Sequence, residues 1–371
     1  MPDSSPITKK VKKYTHFIGL DVSKHELDFA VFEEKTFLFH KEIKNEKQTI
    51  LDFIGRLKEI PSFKLSKAVF CMENTGFYGN HFLNILIKLK ANIIQEHPLK
   101  IKKSMGTSRG KDDKSDAIRI ADFAWKNRSE LKLWVPRRPV LIELSDLMAY
   151  RNRLLGVAVI LKNPEKEKQD YINAPAHKKM VEIYKASLEA ITKDLSHLEE
   201  KIKLLIAKDE RLTRLLEIIT SVPFIGFITA VNIIICTNEY RDITNPKKFA
   251  CYAGIAPFPY ESGTVVRRRR VSPMANKKMK ALLHLCAIGA ATRDEELKDY
   301  FKRKVSEGKH KLSVFNAVRY KLVLRVFACL KQDRLFIKPY QREGMAAIGD
   351  TIQLEGAQTN QATGEVNAFL S

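Results

Sequence analysis

Five side chains stand where their types and spacing could cut and join a phosphodiester backbone. Asp21 closes the apolar run HFIGLDV, Glu73 closes KAVFCME, and Asp113 and Asp116 follow in KDDKSDA. The last two are spaced i and i+3 at the start of a helical pattern, so both carboxylates face one way. Hard carboxylate oxygens bind Mg²⁺ or Mn²⁺, and a paired-metal site suits in-line displacement at phosphorus because it steadies the entering and leaving oxygens. Asp21 lies in an apolar strand context where an unpaired charge is costly, and Lys111 and Lys114 add phosphate-binding cations beside the acid pair. Asp112 is expected to point away. Taken singly, each acid also reads as a surface carboxylate or a helix-start charge.

The fifth side chain is Ser262, on a glycine-flexed YESG loop just before Arg267, Arg268, Arg269 and Arg270. A serine alone is a poor nucleophile, and in isolation Ser262 is an ordinary turn residue and the arginine run a DNA-contact patch. Beside guanidinium groups that stabilise alkoxide and phosphate charge, or beside a metal-bound base, it can attack phosphorus. Lys277 and Lys278 extend the basic tract. Two other motifs fail: GTSRGK has too few residues between its glycines for a phosphate loop and Asp112 where that loop needs Ser or Thr, and no histidine pair has zinc spacing.

The acids need a sheet to bring them together. HFIGLDV, LDFAVF and TFLFHKEI alternate as three consecutive strands. A helix over about 47–60, the strand KAVFCMEN, a helix over 79–90, the strand ANIIQEH and an amphipathic helix over 114–126 complete a mixed α/β sheet. In such a sheet the ends carrying Asp21 and Glu73 can lie side by side. From Pro139 the pattern is helical, with Pro164 and Pro175 expected to mark a break. A seam then runs through Val181, Tyr184, Leu188, Ile191, Leu195, Leu198, Ile202, Leu205, Leu212 and Leu216, with Asp209 the only off-pattern position. It reads as a coiled coil, either a hairpin packing on its own partner or a seam between subunits. SVPFIGFITAV reads as helix, tight glycine turn, helix, whose backbone N–H groups either touch phosphate or lie in a buried corner. The expected division is 14–128 for the sheet domain, 129–211 for the helical coiled-coil region, 212–335 for a mainly helical C-terminal domain and 336–371 for a flexible tail.

At 371 residues the chain exceeds one small module, and its 65 Lys and Arg against 43 Asp and Glu give a net charge of +22. That excess favours a polyanionic partner, nucleic acid ahead of an anionic membrane. Five scattered cysteines without CxxC spacing point to reduced thiols rather than a disulfide frame. The polar N-terminus implies no export, and the uncharged stretch 218–238 is interrupted by Pro223 and Gly226, which argues against a membrane span.

Taken together, HFIGLDVSK, MENTGFY, KDDKSDAIRIADF, SVPFIGFITA, FACYAGIAPFPYESG and RRRRVSPMANKKMKALL resemble, in order and from about Phe17 to Leu330, the DEDD-type insertion-sequence transposases, relatives of the Piv DNA invertase. The resemblance implies an N-terminal RuvC-like (RNase H-like) domain with an Mg²⁺-binding tetrad of Asp21, Glu73, Asp113 and Asp116. It also implies a C-terminal transposase domain with Ser262 as a nucleophile that becomes covalently linked to DNA. It further implies that the two sites meet across subunits of a dimer or tetramer, and that a bridge RNA pairs with donor and target DNA. A cytoplasmic, nucleoid-associated protein follows. VSPMANKK departs from the family's usual pattern, with Pro273 and Ala275 at its Lys and Gly positions. Competing readings are a metal-dependent junction nuclease in which Ser262 is structural, a site-specific DNA invertase, and a non-catalytic nucleic-acid-binding protein.

Overall fold

The computed structural model describes residues 14–74, 76–104, 112–168, 174–262, 265–272 and 274–338, without the side chains of 163–181 and 258–270. The chain divides into two units, Met1–Pro136 and Arg137–Ser371.

The first unit is built on five strands, β1 (His16–Val22), β2 (Glu26–Glu33), β3 (Thr36–Lys44), β4 (Ala68–Glu73) and β5 (Asn92–Glu96), in the order β3-β2-β1-β4-β5. The first three form an antiparallel meander, while β4 and β5 run parallel to β1. Parallel neighbours need crossover connections, and α1 (Lys47–Glu59) and α2 (Asn80–Lys88) provide them. Alternation sends Ile18, Leu20, Phe29, Phe70 and Met72 to the face covered by α1 and α2. Phe17, Ala30, Val69, Cys71 and Ile94 pack on the other, against Ala117, Ile120, Ala121 and Ala124 of α4 (Asp113–Lys126). Both faces are therefore covered, which explains why β1 and β4 read as nearly unbroken apolar runs. A short helix that the sequence reading does not include, α3 (Pro98–Ser104), follows β5.

Gly19 sets how closely α4 lies on β1. A Cβ there would meet the Ala117 carbonyl oxygen at 2.2 Å and the Ala121 nitrogen at 2.3 Å, both backbone atoms.

The second unit begins with two long helices, α5 (Pro139–Lys168) and α6 (Ala174–Ala207). Arg151 pairs with Glu199 at 2.7 Å while the earlier Arg138 pairs with the later Asp209 at 2.7 Å, so the two run antiparallel as a hairpin. Two expectations need correction. Pro164 does not end α5, which continues to Lys168; one proline near a helix end removes a single backbone bond. Pro175 lies in the first turn of α6, where proline is tolerated. Nor does the apolar seam run unbroken to Leu216. The helix stops at Ala207, and Asp209 caps a new one, α7 (Glu210–Ser221), by accepting the Leu212 N–H at 3.0 Å.

Helices α8 (Phe227–Cys236), α9 (Pro246–Tyr252), α10 (Lys277–Arg293), α11 (Glu295–Ser306) and α12 (Lys311–Lys331) share one core with α7 and the start of the hairpin. The uncharged stretch 218–238 is two helices joined by a turn, as expected, and no helix among the described residues is long and apolar enough to cross a membrane. The left-handed residue of that turn is Phe224 (φ 70°) and not the glycine, and Val222 and Ile225 are buried in it. Between α9 and α10 lies a two-stranded antiparallel hairpin, β6 (Phe258–Ser262) and β7 (Val265–Arg270). All five cysteines are free, with Cys71, Cys286 and Cys329 buried. Residues 339–371, most of the expected tail, lie outside the described residues.

Candidate active site

Register places the acids of the first unit. Leu20 of β1 lies opposite Met72 of β4, so Asp21 and Glu73 leave adjacent strand ends, and alternation turns both to the face covered by α4. Asp21 also faces Asp28 across β2, and Glu73 faces Glu96 across β5. Four carboxylates thus cross four neighbouring strands at one level of the sheet.

α4 begins at this level. Asp112 is its N-cap, accepting from the Ser115 N–H at 3.1 Å and from the Ser115 hydroxyl, and these bonds hold its carboxyl below the usual range. The cap orients the first turn, which carries Asp113, exposed, and Asp116, half-buried. Burial pushes the Asp21 carboxyl up, the Val22 N–H opposes this by donating to it at 3.0 Å, and repulsion from Asp116, Asp113 and Asp28 adds to the rise. Asp21, Asp113 and Asp116 are therefore electrostatic neighbours, although more than ninety residues separate the first from the other two.

The flanking acids have partners. Asp28 meets His40 at 2.8 Å, Glu96 pairs with Lys100, and Asp116 pairs with Arg119 at 2.7 Å. Asp21 has no cationic partner among the described residues. The sequence reading missed Asp28 and Glu96; their signal was parity, since each sits on the α4-facing register of its strand. No group of three or more His, Cys, Asp or Glu among the described residues is gathered tightly enough to hold a metal ion as it stands. The donor set nevertheless fits a divalent cation: it is all oxygen and shares one face, and the negative charge crowding Asp21 is what a cation would neutralise.

Lys114 is exposed in the first turn of α4, while Lys111 lies outside the described residues. In the second unit Ser262 is the last residue of β6, paired with Val265, rather than part of an open loop. The arginine run masks a strand begun by the β-branched pair Val265 and Val266. Arg267 lies opposite Tyr260 and Arg270 opposite Phe258, with a bulge between. The side chains of Ser262 and Arg267 to Arg270 lie outside the described residues. Lys277 and Lys278 are exposed at the start of α10, whose N-cap Asn276 accepts from the Met279 N–H at 2.9 Å. Ala275 packs where a side chain on Gly254 (φ 65°) would meet its Cβ at 2.6 Å.

Comparison with known proteins gives the acids and the serine separate family matches. A transposase family profile of the IS110 DEDD type matches residues 18–166, which include Asp21, Glu73, Asp113 and Asp116. A second profile, the transposase family IS116/IS110/IS902, matches residues 216–302, which include Ser262. The chain is 24% identical over 332 residues to the pilin gene-inverting protein of Moraxella bovis, covering 87% of this chain and 98% of that protein. The pilin gene-inverting protein of Moraxella lacunata matches to the same extent. The insertion element IS110 uncharacterized 43.6 kDa protein of Streptomyces coelicolor is 24% identical over 152 residues, 41% of this chain and 36% of that protein.

Proposed function

We propose, from the premise that the chain belongs to the IS110/IS116 family of insertion-sequence transposases, that it cuts and rejoins DNA with an acidic metal site in its first unit and a serine nucleophile in its second. The observation that carries this reading is the mutual placement of Asp21, Asp113 and Asp116 on the face of the sheet to which Glu73 also turns. The three-plus-two strand pattern supports assigning residues 14–128 to a RuvC-like, RNase H-like domain. In this reading 129–211 is a coiled-coil region and 212–335 the transposase domain.

Asp21, Glu73, Asp113 and Asp116 would hold Mg²⁺ or Mn²⁺, which supplies Lewis-acid stabilisation of phosphate oxygens when bound. The Ser262 hydroxyl attacks the phosphorus; an Oγ–P bond forms, the strand's P–O bond breaks, and a proton equivalent to the one lost from Oγ goes to the departing sugar oxygen, which leaves as a hydroxyl. The phosphoserine ester conserves the energy of the broken bond, so attack by a hydroxyl of another strand rejoins DNA without an outside energy source. Arg267 to Arg270 neutralise the charge at phosphorus, and Lys111, Lys114, Lys277 and Lys278 contact backbone phosphates. A bridge RNA selects donor and target DNA, and the protein acts as a homo-oligomer in the cytoplasm at the nucleoid. Similarity to the pilin gene-inverting proteins over most of the chain favours inversion as a second outcome of the same chemistry.

A suicide substrate nicked near the exchange point tests the serine. The expected result is DNA trapped on the peptide containing Ser262, with no adduct from Ser262→Ala. Normal recombination by Ser262→Ala, or an adduct on another residue, would overturn Ser262 as the nucleophile, and cleavage with no adduct at all would leave the metal-only nuclease in its place.

A further inference from the structure

In the second unit a cleft of about 1020 Å³ opens at the root of the β6–β7 hairpin, where Pro257 precedes β6 and Val271 follows β7. Lys247 of α9 and Lys280 of α10 contribute cations, and His310 an imidazole. Ile255, Leu312 and the half-exposed Tyr320 make an apolar, partly aromatic wall. Asn316, also in the lining, accepts a hydrogen bond from Arg319 behind it.

Arg319 is the unusual member. It is only 5% exposed, and its Nη2 donates to His284 Nδ1 at 2.7 Å, but its Nε is buried with no hydrogen-bond partner. No carboxylate pairs with it among the described residues, and a buried guanidinium without a counter-ion is costly. Burial lowers the pKa of both Arg319 and His284, and for His284 the nearby charges of Arg319 and Lys280 lower it further. The region is therefore short of one anion. A phosphate satisfies the charge, and an apolar cavity with a tyrosine suits an unstacked base.

We propose that this cleft receives one everted nucleotide of the DNA strand being exchanged, its phosphate drawn by Lys247, Lys280 and the buried Arg319 charge and its base lying against Tyr320. The inference rests on the recombinase reading. Ser262 ends the strand that leaves Pro257, so at ~3.3 Å per residue it lies about 16 Å along the hairpin from the cleft. The captured nucleotide is then a few positions from the phosphate under attack, where it would hold the opened strand in register.

The test uses the full-length protein and a single-stranded DNA of about 12 nucleotides carrying one 5-iododeoxyuridine. Crosslinks should map to the α12 peptide containing Tyr320, and Ala317→Trp, which fills the cleft, should weaken binding at least tenfold. Lys247→Gln, at an exposed site, with Lys280→Gln, at a half-buried one, should do the same while duplex binding through Arg267 to Arg270 persists. Wild-type affinity in the lysine variant with crosslinks elsewhere would overturn the cleft but leave the recombinase reading intact. Binding of the RNA of the same sequence tenfold more tightly than the DNA would overturn the assignment to the exchanged strand. Failure to bind either single strand or duplex would overturn both.

Discussion

In the first unit Asp21 faces Asp28, Asp113 and Asp116 with no cation of its own among the described residues, whereas in the second unit the fully buried Glu239 is ringed by Arg138, Arg211 and Arg241. Arg138 forks further, with both Nη atoms donating to Asp209 at 2.7 and 3.0 Å, and so ties the start of α5 to the cap of α7. Glu239 sits in three consecutive left-handed residues, Asn238 (φ 49°), Glu239 (φ 57°) and Tyr240 (φ 62°), a strained conformation for non-glycine residues that its surroundings must hold. Around Glu239 and Asp209, then, each acid is matched by a guanidinium. Around Asp21 the nearest charges are of its own sign, and their value lies in what they can bind.

Asp21→Asn should break the comparison on one side only. Strand cleavage should fall by at least about 10³-fold, because several kcal/mol of charge stabilisation at phosphorus depends on the metal. Stability should stay level or rise by up to about 1 kcal/mol, since a desolvated, repelled charge is removed. Chemical denaturation alongside a nicking assay checks both. A loss of stability comparable to the loss of function would make Asp21 a structural residue.

Arg138→Met tests the other side. It leaves the buried Glu239 with only the more distant Arg211 and Arg241 and should destabilise the protein by about 3–5 kcal/mol. A change under about 1 kcal/mol in denaturant unfolding would reduce the knot to a surface ion pair.

Gly19→Ala should cost about 1–3 kcal/mol as overpacking, because its Cβ meets backbone rather than a movable side chain. It should also lower cleavage, since moving α4 away from β1 carries Asp113 and Asp116 away from Asp21. Full activity in this variant would separate the acids on α4 from Asp21.

The smallest effect concerns pH, in metal-free buffer. Arg138 holds the Asp209 carboxyl below its ordinary value of 3.8, so its contribution to stability is present above that value and is lost as pH falls through the depressed one. Asp21 is shifted upward, so its contribution is present below about 3.8 and is lost as pH rises through the raised value. The cost of Asp209→Asn should therefore shrink on acidification, and any gain from Asp21→Asn should vanish there. Parallel pH profiles for the two variants would contradict the contrast.

Much of the first unit was legible because period-2 alternation and short turns mark strands directly, and strand ends then locate Asp21 and Glu73. The extra carboxylates Asp28 and Glu96 were not, because their relevance depends on register between strands. Asp209 and Glu239 were hidden for a related reason: in sequence one is a flaw in a seam and the other an acid in a turn, and the Arg138 that joins them is far from both. The hairpin under Ser262 was obscured by four arginines that read as a charge patch. Arg319 was hidden inside a helical pattern, where nothing signals that an arginine is buried without an acid.

Calorimetric titration of Mn²⁺ into the metal-free full-length protein tests the central claim most directly. The wild type should bind at a site that weakens at least about tenfold in Asp21→Asn and in Asp116→Asn, with Asp112→Asn, at the helix cap, unaffected. Equal affinity in all four proteins would mean that the acids crowded around Asp21 do not form a metal site.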